Sequence, residues 1–167
     1  VPSDPEPTPI ETTPIPTPVP TPVPTPVPTP SPEPEADIIG SGKETMISVA
    51  MAQLGKPYRW SEEGPDGFDC SGLVYYSLKS VGIQTSRYSA SGFSKVESWQ
   101  YIGSLGELQR GDLMFFRSDT SDRISHTGIY IGGNKLVHAS SSAGKVVESE
   151  LTPWYQRNFV LGRRIFG

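Results

Sequence analysis

Cysteine occurs once in the chain, at Cys70, so no disulfide can close within it. A single thiol neither requires nor forbids an extracellular location, although a free thiol outside the cell usually has a chemical task or is buried. Histidine occurs twice, at His126 and His138, too few for a metal motif built from close-spaced ligand pairs. No apolar run is long enough to span a bilayer, and no signal peptide is recognisable. Lys and Arg are missing from residues 1–42, which hold six acids (Asp4, Glu6, Glu11, Glu33, Glu35, Asp37). The net charge of -4 therefore hides a remainder with fourteen bases against twelve acids, about +2. That surplus is too mild for a nucleic-acid-binding face, and it is compatible with work on an anionic polymer.

Proline is as unevenly spread. Fifteen of the eighteen fall within residues 1–34, alternating with Thr, Val, Ile and Glu. Such a segment cannot bury enough apolar surface to offset its ordering entropy, and proline's fixed φ favours polyproline II. Residues 1–41 are expected to form an extended Pro/Thr-rich stalk, the proline-dense part reaching roughly 100 Å at about 3.1 Å per residue. Stalks commonly join two working units. Together with the lack of a starting Met, this leads us to expect an N-terminal targeting or wall-binding domain and a targeting signal upstream.

From residue 42 onward the texture changes. All three Trp, seven Tyr and six Phe lie there, and one domain over 42–167 follows, a size that supports a single core. Ser41 and Glu44 form a capping-box pattern ahead of Ile47, Ala50, Met51 and Leu54, predicting a helix over about 43–54 that ends at Gly55 and Pro57. A Gly-rich acidic loop runs to Asp69. Leu73, Val74, Leu78 and Val81 give a second helical stripe closed by Gly82, and a short helix is predicted within 89–99. Strands are predicted at 112–116, 126–131, 135–139, 145–150 and 160–166. Helices first and antiparallel strands afterwards argue for an α+β domain, N-terminal helices packed on a central antiparallel sheet.

Cys70 falls where the loop ends and the second helix begins. Free amides and the positive end of the helix dipole lower a thiol's pKa there and can hold an oxyanion. Small neighbours Ser71 and Gly72 leave room for a carbonyl, while the negative charge of Asp69 opposes ionisation, so a base is needed. His126 opens one predicted strand and His138 closes the next, with Gly132-Gly133-Asn134 between. A three-residue loop puts both imidazoles on one sheet face, where one can act as base and the other fix its tautomer. A two-residue Gly-Gly loop puts them on opposite faces. Zinc held by Cys70, His126 and His138 is the competing chemistry, and an inert buried cysteine the bland one.

The stretch GKPYRWSEEGPDGFDCSGLV, then RGDLMFF, HTGIYIG and LVHAS, follow in the order seen in NlpC-family (p-sixty-type) cell-wall cysteine peptidases, and the resemblance covers about 43–167. It implies a papain-like fold, with Cys70 as nucleophile, His126 as base and His138 as orienting residue. Tyr58 resembles the tyrosine beside the active thiol that contributes to the oxyanion site. Asp69 and Ser71 resemble residues that recognise a free amino end of the stem peptide in some members. One departure is visible: Ser61-Glu62-Glu63-Gly64 stands where many members have Gly-Gly, and its acids are expected to border the cleft. The resemblance further implies cleavage between D-γ-glutamate and meso-diaminopimelate or L-lysine in peptidoglycan stem peptides. It implies a secreted, wall-associated monomer that needs no cofactor, binds no nucleic acid and does not insert into a membrane. An amidase or acyltransferase on the same scaffold, or a catalytically silent wall-binding module, are the alternatives.

Overall fold

The computed structural model describes residues 35–167, the first six as backbone alone. The expectation of a polyproline stalk therefore lies almost wholly outside the described residues. Helix α1 spans Glu35–Met51. It begins well before the predicted start, so Ser41 and Glu44 are not a capping box; instead the Glu44 carboxylate accepts two bonds from the Arg110 guanidinium at 2.9 Å. The apolar stripe acts as expected in its central part: Met46, Ile47 and Ala50 are buried.

Helix α2, Cys70–Ser80, buries Leu73, Val74 and Leu78 and ends at Gly82, whose φ of +79° suits glycine. Helix α3 is the single turn Ala90–Ser94, N-capped by the Ser89 hydroxyl, shorter than the predicted segment.

Six strands form one antiparallel sheet: β1 Gln100–Ile102, β2 Leu113–Ser118, β3 Ser121–Gly132, β4 Lys135–Ser140, β5 Lys145–Glu150 and β6 Phe159–Arg164, in the order β1-β6-β2-β3-β4-β5. The central strand β2 is buried on both faces, which is why its Leu113-Met114-Phe115-Phe116 run does not alternate with polar residues. Leu113 and Phe115 join α1, α2, α3, Ile129, Val137, Ala139 and Val146 in one core. Met114 and Phe116 face the other way, into a smaller core with Leu136, Leu151, Tyr155 and Phe159. That second layer includes a helix absent from the sequence reading, α4, Pro153–Asn158, with Pro153 in its first turn. Asp119, between β2 and β3, pins α4 by accepting from Trp154 Nε1 (3.0 Å), Arg157 Nε (3.0 Å) and Asn158 Nδ2 (2.9 Å).

Just before β2, Asp112 is almost wholly buried and accepts two 2.8 Å bonds from Arg164. No described helix is long and apolar enough to cross a membrane.

Candidate active site

The β3–β4 connection decides where the two imidazoles lie. Its turn is Gly133-Asn134, with φ of +59° and +61°, the left-handed pair that a two-residue hairpin requires. A two-residue loop alone would have separated the histidines. However, the ladder slips between Tyr130 and Gly132, so Gly132 pairs with Lys135 while Tyr130 pairs with Leu136 and Ile129 with Val137. This one-residue bulge restores the parity that a three-residue loop would have given. His126 and His138 accordingly share a face, and His126 Nε2 lies 2.7 Å from His138 Nδ1. The expected loop length was wrong; the shared face it was invoked to produce is present.

That face is the one covered by α4, opposite the main body of α2. His138 is buried, and its Nε2 lies 2.9 Å from Ser149 Oγ and 3.1 Å from Tyr155 Oη. Gly128 lies between the histidines. A Cβ there would stand 3.0 Å from His138 Cβ and 2.8 Å from Leu136 Cδ1, so any side chain would displace the second imidazole.

Cys70 packs against β3 one residue before His126, its Sγ 3.9 Å from the Ser125 carbonyl. Asp69 caps the helix, accepting from Gly72 N at 2.6 Å, and also accepts from Ser61 N at 3.1 Å. Gly72 is obligatory, because a Cβ there would collide with the Glu62 carbonyl. Cys70, His126 and His138 line one cavity of about 760 Å³, with Tyr58, Trp60, Ser140 and Tyr155. A second cavity of about 610 Å³ shares Tyr58, Trp60, Cys70 and Ser125, and adds Asp69, Ser71 and Arg87. The thiol thus sits where two lobes of one cleft meet.

Electrostatics correct one expectation. Burial pushes the Cys70 thiol up; backbone hydrogen bonding at Thr127 and at the start of α2 opposes this without overcoming it, and Asp69 adds to the rise. Burial lowers His126 to about 4; burial and then the charge of His126 lower His138 to about 3. The thiol and both imidazoles are therefore neutral at rest, and the start of α2 does not by itself ionise Cys70. Tyr58 is raised by burial, then by Cys70 and Asp69, so it remains a phenol able to donate.

Two zinc ligands from the histidines would need nitrogens converging on one point. Here the facing nitrogens are joined to each other, an arrangement suited to a hydrogen bond.

Arg87 was not foreseen. Its Nη2 donates to Asp69 Oδ1 at 2.7 Å and its Nη1 to Ser71 Oγ at 2.8 Å. It lies in a segment without periodicity, so no local signal marked it. Glu63 pairs with the same guanidinium at 3.0 Å, and Glu62 lies 3.6 Å from Arg59. Neither acid lines the two lobes, so the expectation that they border the cleft is corrected: Glu63 touches it only through Arg87.

Fold and cluster together define an α+β domain built around one thiol and two imidazoles. The chain belongs to the NlpC/P60 family, whose profile matches residues 55–164. It is 36% identical over 118 residues to murein DD-endopeptidase MepH of Escherichia coli, covering 69% of this chain and 43% of the relative. It is 37% identical over 123 residues to the probable peptidoglycan endopeptidase LytE of Bacillus subtilis, covering 72% and 34%. Among solved structures it resembles the peptidoglycan hydrolase RipB of Mycobacterium tuberculosis, with 30% identity and a TM-score of 0.64 over 81% of this chain and 69% of that one. It also resembles an NlpC/P60 family protein from Bacillus cereus, with 30% identity and a TM-score of 0.67 over 75% and 40%. The chain spans less than half the length of these two curated relatives.

Proposed function

We propose that the chain is a peptidoglycan cysteine endopeptidase with Cys70 as nucleophile, His126 as general base and His138 as the residue that positions it. One observation carries the reading: the 2.7 Å bond between His126 Nε2 and His138 Nδ1, in the cavity that Cys70 lines. If His126 donates from Nε2, its Nδ1 keeps a free lone pair. His138, accepting at Nδ1, must carry its own proton on Nε2, where Ser149 and Tyr155 hydroxyls can accept it.

In this reading the thiol passes its proton to His126 Nδ1 as sulfur attacks the amide carbonyl. The resulting oxyanion is held by the amides at the start of α2 and by the Tyr58 hydroxyl. His126 returns the proton to the departing amine, the C–N bond breaks and a thioester remains. Water, deprotonated by His126, then attacks the thioester and releases the thiol. The bond we assign joins D-γ-glutamate to meso-diaminopimelate or L-lysine, with the acyl part in the Asp69–Arg87 lobe and the leaving diamino acid in the lobe lined by His138. Among the described residues Asp69 Oδ2 accepts one hydrogen bond, from Ser61 N–H, leaving capacity for a free amino end of the stem peptide, with Ser71 beside it. A secreted, wall-associated monomer carried on the Pro-rich segment, with a targeting domain upstream, completes the proposal.

A second reading is favoured by the likeness to a murein DD-endopeptidase: cleavage of the D-alanyl cross-link. Digestion of monomeric and cross-linked muropeptides, read by mass spectrometry, separates the possibilities. Our assignment predicts stems shortened to L-Ala-D-Glu. Cross-linked dimers resolved into intact stems would replace it with the cross-link bond, and stems released whole from the glycan would indicate an amidase.

A further inference from the structure

The lobe assigned to the leaving group carries an unusual distribution of charge. Of the thirteen residues that line it, only Arg117 is charged, because the two histidines are neutral; apart from Cys70 the rest are serines and aromatics such as Trp154 and Tyr155. Arg117 lies on β2 where the ladder to β3 breaks, between the Phe116–His126 and Ser118–Ser121 pairs. Such irregularities re-aim a side chain out of the regular pleat. The neighbouring Arg157 is already held on Asp119. Arg117 has one ionic partner among the described residues, Asp122 at 3.0 Å, and the Asp122 side chain is 97% exposed. A surface pair of that kind is weak and easily exchanged, whereas a guanidinium facing an otherwise uncharged wall is suited to a planar carboxylate.

We propose that Arg117 determines specificity on the leaving-group side by binding the carboxylate at the far end of a meso-diaminopimelate residue. This makes the enzyme selective for diaminopimelate over lysine, which has the same amine but no carboxylate there. The proposal rests on the bond assignment above. In the free enzyme Asp122 occupies the guanidinium, and the substrate carboxylate takes its place.

The test uses two tripeptides, L-Ala-γ-D-Glu-X, with the main-chain carboxyl of X amidated and X either meso-diaminopimelate or L-lysine. The far-end group is then the sole carboxylate on the leaving side. Wild type is expected to favour the diaminopimelate peptide at least tenfold in kcat/KM. Arg117→Ala should bring that ratio to within about threefold of unity, and Arg117→Glu should invert it in favour of lysine's ammonium. A wild-type ratio near one, or a ratio that survives both substitutions, overturns the proposal. If neither peptide is cut, the bond assignment fails, and binding decides the inference separately. In that case Cys70→Ala protein is titrated with diaminopimelate monoamide and with lysine amide. A preference that vanishes with Arg117→Ala sustains the inference, and equal or absent binding ends it.

Discussion

Replacing His138 with alanine removes the one acceptor that His126 Nε2 has among the described residues, a bond of 2.7 Å. In the resting enzyme both rings are neutral and the bond is an ordinary one. In the proposed mechanism His126 takes the thiol proton and becomes an imidazolium, and the same bond becomes charge-assisted, worth about 1.5–3 kcal/mol. Most of that appears only as the transition state forms, so kcat should fall roughly 10- to 150-fold. His138→Ala also leaves Ser149 and Tyr155 hydroxyls without a partner, costing about 1–3 kcal/mol of stability. Activity must therefore be compared at equal folded fraction, checked by circular dichroism. His138→Gln is the discriminating control, since its amide oxygen can accept from His126 and its NH2 can donate to the two hydroxyls. It should recover to within about tenfold of wild type. The reasoning fails if His138→Ala works within threefold of wild type, or if the glutamine variant is no better than alanine.

Burial holds His126 to about 4, so it stays a competent base well below pH 6. kcat/KM should hold its plateau down to about pH 5 and fall as the pH drops through about 4; a limb near 6.5 would contradict the burial argument. Folding stability should respond at higher pH, before activity falls. The folded-state pKa lies below the unfolded value of 6.5, so the unfolded chain alone takes up the proton as the pH falls from 6.5 to about 4. His126 then withdraws at most about 3 kcal/mol, measurable as a falling urea midpoint. Asp112→Ala strands Arg164 in a nearly dry pocket and should destabilise by about 3–5 kcal/mol while leaving turnover per folded molecule unchanged; a loss under 1 kcal/mol in denaturant titration would contradict this. Deleting residues 1–35 should change turnover on soluble muropeptides less than about twofold, under roughly 0.5 kcal/mol of barrier, and a rise of tenfold or more at physiological salt would show that the segment blocks the cleft.

Much of this architecture was legible because the relevant signals are local. The Leu73, Val74, Leu78 stripe and the Gly82 stop specify α2, and Asp69-Cys70-Ser71-Gly72 carries its own cap. The pairing of His126 with His138 was legible only in outcome. A bulge at Ile131 depends on how β3 meets β4 across the sheet, and nothing in Gly132-Gly133-Asn134 distinguishes a two-residue turn plus bulge from a three-residue loop. Helix α4 was overlooked although Thr152-Pro153 is a fair start signal; six residues are too few for a periodic stripe. Arg87 and Tyr155 reach the site from 17 and 85 positions beyond Cys70, and only the tertiary fold brings them there. The thiol's pKa was misjudged for a related reason: the helix start is a local feature, while the burial that outweighs it comes from β3 and the loop around Tyr58.

The central claim is that Cys70 is the nucleophile, and Cys70→Ala on purified peptidoglycan tests it most directly. Wild type and variant, matched in circular dichroism and concentration, are incubated with the same material and the soluble products identified by mass spectrometry. We predict stem-peptide fragments from wild type and none above background from Cys70→Ala. Fragment release by Cys70→Ala at a rate comparable to wild type would contradict the account.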